Sequence, residues 1–216
     1  MKKFLMILAL VALTALLVTP AFAQAPIKIG VLAKRGAPKC MAKWGATGVY
    51  LTEKMGAPVQ IVPLKFDDIN PAVAGGKVHF VLANSAFSVE LEKKFGATAV
   101  ATLINSRKGN ALSEFGGVVL VKADSPIQEL ADIAGKKFMV VKKSSFGGSQ
   151  MAWRLLMENG IDPSKDCSEV LIGKKHDNVV LAVLNGMCDA GTVRSDTLER
   201  MADEGTINLA LSLIHI

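Results

Sequence analysis

The sequence has few of the residues on which metal and redox chemistry in proteins usually depends. Its 216 residues include three cysteines, three histidines, one tyrosine and two tryptophans, and aromatic residues make up only 6%. No cysteine lies in a CxxC or Cys/His spacing, so no metal site is expected. A GxGxxG motif and a Walker A loop are missing as well. The sequence therefore predicts no cofactor.

Long apolar runs are missing beyond the N-terminus. There the basic start MKK is followed by an apolar stretch over residues 4–18 and by the small-x-small pattern AFA at 21–23. This is the layout of a secretory signal, and the apolar run is short for a membrane-spanning helix. We predict a signal peptide over residues 1–23, cleaved after Ala23 or Ala25, and a periplasmic location. An uncleaved membrane anchor is the alternative.

The charge balance is mild. The chain has 25 Lys and Arg against 19 Asp and Glu, and removing Lys2 and Lys3 with the signal leaves 23 against 19. There is no long basic run and no basic stretch with interleaved aromatics, so nucleic acid is not an expected partner. The small positive excess is compatible with a modest attraction to anions.

Strand-like and helix-like segments alternate along the chain. The predicted strands are 27–32, 59–64, 78–83, 97–104, 117–122, 137–141, 170–172 and 188–193. The predicted helices are 38–55 with a break near Gly45 and Gly48, 68–74, 86–94, one opened by the capping-box pattern at Ser125, 148–159, 176–184, and one opened by Asp196. This alternation predicts an α/β fold with parallel-rich sheets flanked by helices. Two runs of fewer than a hundred residues predict two lobes, over 24–112 and 113–210.

The last six residues look foreign to the fold. The peptide LSLIHI at 211–216 can be encoded by CTG TCT CTT ATA CAC ATC, which matches a common transposase adapter used in preparing sequencing libraries. We expect that these residues are not native and exclude them from the fold. A natural short strand is the alternative, and the nucleotide sequence decides between the two.

Candidate ligand-binding residues follow the predicted strands, where open α/β sheets bind their ligands. The most informative loop carries Ser144, Ser145, Gly147 and Gly148 between a strand and a helix start. Free amides and the helix dipole favour an anion there, hydroxyls can donate to it, and glycine permits close backbone approach. A capped helix start with a flexible loop is the alternative.

Two later loops add His176 and Arg194. A single histidine is more often a structural or helix-capping residue, whereas arginine binds oxyanions through a fork of donors. Neither a Ser/His/Asp constellation nor a pair of carboxylates follows the strands. The sequence therefore predicts that the protein is not an enzyme.

Several segments together resemble a known family: IKIGVLAKRG, FDDINPAVAGGKVHFVLANSA, FGGVVLVKADSPIQELADIAGKKFMVV, SSFGGSQMAWRLL and HDNVVLAVLNGMCDAGTVRSDTLERM. They are similar to the periplasmic solute-binding proteins of phosphate, phosphite and phosphonate ABC transporters. They are equally similar to the related sensor domains fused to some histidine kinases. The resemblance spans about residues 26–210.

The resemblance implies a type II, Venus-flytrap fold with the ligand between two lobes. By position, Ser144 and Ser145 match the family's hydroxyl-bearing helix start, and His176 with Asp177 match its His-Asp pair. Asn84 and Ser85 lie where family members often carry a ligand loop that contains an aromatic residue. This difference from the family bears on which ligand the protein binds. The family also implies a return of the chain to the first lobe by further helices, and this sequence stops before that return.

The family topology places the first strand of each lobe between the next two. The strand after Cys167 and the strand that starts at Cys188 are then not neighbours, and the family topology thus implies that these cysteines form no disulfide.

Taken together, the resemblance and the loops imply an exported protein that captures a small oxyanion for an ABC importer. Arg194 and Arg35 would supply positive charge, and the permease would be the partner. The sensory input domain of a histidine kinase is the alternative. An exported enzyme acting on a phosphate ester is disfavoured by the missing base and metal cluster.

Overall fold

The computed structural model describes residues 24–209 and the backbone of 214–215. The predicted signal peptide and residues 210–213 and 216 lie outside the described residues. The described chain forms a three-stranded sheet, a five-stranded sheet and a two-stranded hairpin. No helix in this part of the chain is long and apolar enough to cross a membrane.

The first lobe is built on the three-stranded parallel sheet. Its strands are β1 (Ile27–Leu32), β2 (Val59–Leu64) and β3 (Phe80–Leu82), in the order β2-β1-β3. Its helices are α1 (Ala37–Met55), α2 (Ile69–Ala74), which follows a 3₁₀ turn at Phe66–Asp68, and α3 (Ser85–Phe95). The central position of β1 agrees with the expected topology.

The predicted break in the first long helix is wrong, because α1 runs without interruption. Gly48 is buried against β2, and a Cβ there would lie 3.1 Å from Cγ1 of Ile61. The glycine thus serves a close helix–sheet contact rather than a break. The helix ends instead at Gly56, whose φ of 64° closes it in the left-handed conformation.

The predicted strand over 97–104 is also wrong. These residues form no strand ladder with any described residue, and Val100 and Ile104 are 77% and 63% exposed. Their apolar sequence has strand character, but a strand requires a partner to bond its backbone. The hairpin of β4 (Asn105–Arg107) and β5 (Asn110–Leu112) follows this segment and leads into the second lobe.

The second lobe is built on the five-stranded sheet. Its strands are β6 (Gly117–Val121), β7 (Lys137–Val140), β8 (Glu169–Ile172), β9 (Ala190–Arg194) and β10 (Ile214–His215), in the order β10-β6-β9-β7-β8. β10 lies within residues 211–216, and the non-native origin of that segment stays a prediction. β7 pairs in parallel with β8 and β9, whereas β6 is antiparallel to β9. The helices are α4 (Met151–Glu158), α5 (Pro163–Asp166), α6 (His176–Leu184) and α7 (Thr197–Asp203).

In this lobe the first strand, β6, does not lie between the next two strands, so the expected topology is wrong here. β6 lies beside β9, and β7 is the strand between β8 and β9. β6 joins the sheet antiparallel, so β7 is the strand that starts the parallel strand–helix–strand series. The implication that Cys167 and Cys188 form no disulfide is unchanged, because β7 still separates the strand after Cys167 from the strand after Cys188.

The helix expected from the capping-box pattern at Ser125 is not formed. The Ser125 hydroxyl accepts a hydrogen bond from the amide of Ile127 at 3.2 Å, and the Asp132 carboxylate accepts from the amides of Gln128 and Glu129. These bonds hold a turn, which serine and proline favour, and only a 3₁₀ turn at Leu130–Ile133 follows.

Buried apolar side chains form a core in each lobe and a connection between them. One cluster belongs to the second lobe alone and includes Phe138, Leu156 and Ile133. A larger cluster contains residues of both lobes, among them Phe87 and Val193. The two lobes are therefore joined by continuous apolar packing as well as by the polar contacts described below.

Candidate functional site

A cleft of about 1080 Å³ lies between the two lobes. Its walls include loops that follow β1, β3 and β9, together with the starts of α6 and α7. Eight predicted site residues line it, namely Arg35, Asn84, Ser85, Ser145, Gly147, His176, Asp177 and Arg194. Ser144 and Gly148 do not line this cleft, so the structure brings together eight of the ten candidates.

The serine–glycine loop enters a π-helical turn, Phe146–Gln150, that continues into α4. The first backbone bonds of the turn are donated by Gln150 to the Ser145 carbonyl, at 3.1 Å, and by Met151 to the Phe146 carbonyl. The amides of residues 146–149 precede these bonds and are not used by the helix. The buried Ser145 thus lies beside a group of free amide donors, an arrangement that suits an anion.

Both glycines of this turn are required by close packing. A Cβ on Gly147 would lie 2.6 Å from the carbonyl oxygen of Gly116, and a Cβ on Gly148 would lie 2.7 Å from Cε1 of His176. Any larger residue would push the turn away from β6 or from α6. Gly148 therefore supports the site by letting the turn pack against His176, although it does not face the cleft.

His176 is the first residue of α6 and is buried. Its Nδ1 accepts a hydrogen bond from the amide of Arg194 at 3.1 Å. Burial, and then the charges of Lys34 and Arg194, lower the pKa of His176 to about 3. The imidazole is therefore neutral, and with Nδ1 as acceptor it carries its proton on Nε2, where it can donate to a ligand.

Arg194 ends β9 and is held by an aromatic pair. Its guanidinium carbon lies 4.5 Å from the centre of the Phe115 ring, and that ring meets Phe146 edge to face at 5.5 Å. Nε lies 3.5 Å from a carboxylate oxygen of Asp196, yet it is buried without a hydrogen-bond partner among the described residues. Arg194 thus offers positive charge from a fixed position.

Lys34 is a further cation of the cleft and is not among the predicted site residues. It follows β1 and lines the same cleft. Burial, and then the charge of Arg194, lower the pKa of Lys34 to about 8. Its position in the loop after a strand is a signal that it shares with its neighbour Arg35.

Arg35 and Asp177 are bonded to protein groups in this geometry. The Arg35 guanidinium donates to both carboxylate oxygens of Glu204, at 2.8 and 2.7 Å, and through Nε to Asp177 at 3.2 Å. The other oxygen of Asp177 accepts from Arg200. The side chains of Arg35, Asp177, Arg200 and Glu204 thus form an ion network between the lobes, which we call the interlobe network.

Asn84 connects the lobes rather than standing free in the cleft. As the residue before α3, it accepts hydrogen bonds from the amides of Ala86 and Phe87 at 2.9 and 3.2 Å. Its side-chain nitrogen donates to the carbonyl of Ser144 in the second lobe at 3.1 Å. Ser85, the first residue of α3, is exposed to the cleft.

Comparison with known proteins gives consistent likenesses. The family model of the periplasmic substrate-binding protein of phosphonate ABC transporters matches residues 29–213. The tetrathionate sensor histidine kinase TtrS of Salmonella typhimurium is 31% identical over 182 residues, which are 83% of this chain and 31% of the kinase. The chain thus spans about a third of that relative's length.

Two solved structures share the fold. A binding protein component of an ABC phosphonate transporter from Pseudomonas aeruginosa superposes with a TM-score of 0.70 at 17% identity, covering 89% of this chain and 66% of that one. PhnD1 from Prochlorococcus marinus, in complex with methylphosphonate, gives a TM-score of 0.71 at 16% identity, covering 88% and 71%. These likenesses confirm the predicted two-lobed α/β fold class.

Proposed function

The chain belongs to the family of periplasmic substrate-binding proteins of phosphonate ABC transporters, as its sequence resemblance predicted, and from this we propose that it captures a small oxyanion between its lobes for an ABC importer. The signal peptide at 1–23 delivers it to the periplasm, and the permease receives the ligand. Its family binds substrates and does not convert them, so the proposal includes no enzymatic step.

The observation that carries the proposal is the convergence of anion-binding groups in one cleft. Ser145, the neutral His176 and Arg194 all line it, next to the unused amides of the π-helical turn. The carboxylates of Asp177 and Glu204 in the same region are engaged by arginines. A negatively charged solute therefore meets donors and cations there, and these two carboxylates are already compensated.

The two lobes provide a route to capture. Asn84 and Ser144 join one wall to the other, and Lys142 of the second lobe pairs with Asp67 of the first at 2.8 Å. A hinge motion that breaks these contacts would open the cleft, and a bound anion would favour the closed state by touching donors of both walls. We expect the ligand to be released to the permease when the lobes open.

A second candidate function is the sensory input domain of a histidine kinase. The identity to the tetrathionate sensor kinase, 31%, is well above the 16% and 17% to the two phosphonate-protein structures. On this reading the captured anion is a sulfur oxyanion, and closure of the lobes signals rather than delivers. The donors named above serve either anion, because both ligands present several oxygens that share negative charge.

A thermal-shift screen of the protein purified from the periplasmic fraction tests the proposal. The anions are methylphosphonate, phosphate, phosphite and tetrathionate. An anion that binds the folded state at a hundred times its Kd stabilises that state by about 2.7 kcal/mol, which shifts the melting temperature by several degrees. A shift with tetrathionate alone favours the sensor reading. No shift with any of the four at millimolar concentration overturns both readings.

Matched serine variants locate the binding site. Ser145→Ala removes the hydroxyl of a residue that lines the cleft, and Ser149→Ala removes the hydroxyl of a similarly buried residue of the same turn that does not line it. We expect the first variant to reduce the ligand-induced shift and the second to retain it. Equal shifts in the two variants would contradict the placement of the ligand beside Ser145.

A further inference from the structure

Lys34 shares the cleft with charged groups from several elements of the second lobe and one of the first. Arg194 and Asp196, at the end of β9 and in the loop after it, line the cleft with Lys34, as do Arg200 of α7 and His176 of α6. Lys43 of α1 lines it as well. The ammonium-bearing residue of the loop after the first strand therefore lies in one cleft with the residues to which the oxyanion is assigned.

The other partly buried cations of the cleft are arginines in ion pairs, whereas Lys34 is not paired in the described part of the chain. Arg35 and Arg200 bind Asp177 and Glu204 in the interlobe network. Arg107 binds Asp203 at 2.8 Å. Within residues 24–209, Lys34 forms no ion pair. A partly buried ammonium without a counter-ion is costly, and the low pKa of Lys34, about 8, follows from that burial.

The cleft around Lys34 has an excess of positive charge. The interlobe network is neutral, because it joins two arginines to two carboxylates, and His176 carries no charge. Lys34 and Arg194, both partly buried, then share the cleft with the single carboxylate of Asp196, and the exposed Lys39 and Lys43 line it without an ion pair among the described residues. A ligand with two negative charges gains more from this excess than a singly charged ligand does.

We propose that Lys34 contacts the bound anion and that, together with Arg194, it makes the cleft select anions with two negative charges over those with one. The inference rests on the proposed function and specifies its ligand class. It also assigns the main charge contact of the first lobe to Lys34 rather than to Arg35, whose guanidinium is already bonded to Glu204 and Asp177.

The proposal has a consequence for the pH dependence of binding. A bound dianion stabilises the charged form of Lys34, so binding above pH 8 requires uptake of a proton. Affinity is full at pH 7 and falls as the pH rises past 8. An arginine at this position remains charged throughout the range and would remove this dependence.

Isothermal titration with tetrathionate and with methylphosphonate tests the role of Lys34. At pH 7, Lys34→Gln should weaken binding about 10- to 100-fold, as expected for loss of a charged hydrogen bond, while Lys34→Arg restores most of it. Lys39→Gln is the control, since this exposed lysine lines the same cleft and its loss changes the net charge equally. We expect the control to change affinity less than about threefold.

Two further measurements address selectivity and pH. Methanesulfonate has the shape of methylphosphonate but cannot take a second negative charge, whereas methylphosphonate becomes a dianion by losing a proton near neutral pH or on binding. The preference of the wild type for methylphosphonate should fall at least about fivefold in Lys34→Gln. Between pH 7 and pH 9 the Kd of the wild type should rise about tenfold relative to that of Lys34→Arg. The ratio of the two proteins cancels any titration of the ligand itself.

The outcomes separate this inference from the proposed function. Unchanged affinity and selectivity in Lys34→Gln, with a wild type that binds, overturn the role of Lys34 and leave the function standing. If Lys34→Gln does not fold, parallel pH profiles of the wild type and Lys34→Arg overturn the inference by themselves. Binding of neither tetrathionate nor methylphosphonate by the wild type also overturns it, and the phosphate and phosphite arms of the thermal screen then decide whether the function falls too.

Discussion

The two lobes share an α/β plan but differ in how completely they enclose their sheets. In the second lobe β7 and β9 are central strands, and Phe138 on β7 is 0% exposed. In the first lobe β3 is a three-residue strand at the edge of a three-stranded sheet, and its Phe80 is 46% exposed. The second lobe thus has a packed interior, whereas the first leaves apolar surface in contact with solvent.

This difference is reflected in what each lobe brings to the cleft. The second lobe supplies the groups whose geometry is fixed by packing: Ser145 and Gly147 in a turn pressed against β6 and β9, and His176 bonded to the backbone of Arg194. The first lobe supplies charge from a loop, through Lys34 and Arg35. A wall of packed hydrogen-bond donors and a charged wall from a loop suit the capture of an anion that we propose.

The largest expected effect tests the difference in packing. Phe138→Ala opens a cavity in the core of the second lobe and should lower the free energy of unfolding by about 3–5 kcal/mol. Phe80→Ala removes a half-exposed ring of the first lobe and should cost less than about 1 kcal/mol. Urea denaturation followed by circular dichroism measures both. Similar losses in the two variants would show that the lobes are equally well packed.

The second effect comes from His176 and is expected only in acid. The folded pKa, about 3, lies below the unfolded value near 6.5, so the unfolded state binds the proton more readily. The stabilisation from neutral His176 is complete above pH 6.5 and is lost as the pH falls towards 3, by about 1.4 kcal/mol per pH unit.

His176→Asn offers the matched variant, because the amide oxygen can replace Nδ1 as acceptor for the Arg194 backbone. Denaturation curves at pH 7, 5.5 and 4.5 should show a shallower loss of stability in the variant than in the wild type. If the two proteins lose stability in parallel, the burial of a neutral histidine is not the cause of the acid sensitivity.

The elements that the local sequence pattern predicted well are those whose pairing or packing partners follow soon in the sequence. β1, β2 and α6 were found close to their observed bounds, because their apolar periodicity matches the burial they have. Residues 97–104 have equally strand-like sequence, yet no described strand pairs with them. Whether an extended segment becomes a strand depends on a neighbour that its own sequence does not specify.

The site shows the same limit. Ser145, His176 and Arg194 were predicted because residues after parallel strands meet at one edge of a sheet. Lys34 was not predicted because it adjoins Arg35 in sequence. The contacts that distinguish these two cations come from residues far along the chain. Asp177 and Glu204, which neutralise Arg35, are 142 and 169 positions away from it. Charge pairing over such distances is a property of the fold and not of a motif.

A third, smaller effect compares an ion network between the lobes with an ion pair inside one. Asp177→Asn weakens the ion pairs with both Arg35 and Arg200 and should lower the free energy of unfolding by about 1 kcal/mol at low salt. Glu158→Gln removes an exposed pair with Arg154 on α4 and should cost less than about 0.5 kcal/mol.

Both losses should shrink in 0.5 M NaCl, because salt screens partly exposed charges. Only Asp177→Asn should also increase the radius of gyration in small-angle scattering, because of the two ion contacts only the interlobe network lies between the lobes. An unchanged radius in Asp177→Asn would show that the apolar packing shared by the lobes keeps them closed without the network.

The smallest expected effect concerns the three cysteines, which lie in both lobes. Cys167 and Cys188 precede β8 and β9, and β7 lies between these strands. Two strand spacings amount to about 9.6 Å, beyond the roughly 7 Å limit for the Cα atoms of a disulfide. Cys40 lies far away, buried in the first lobe beside the carbonyl of Val31.

All three cysteines should react as thiols when the protein is unfolded without reductant, and reductant should leave the unfolding midpoint unchanged. A blocked pair of thiols would require a different order of strands in the second lobe, and with it a different placement of His176 and Arg194, which follow β8 and end β9.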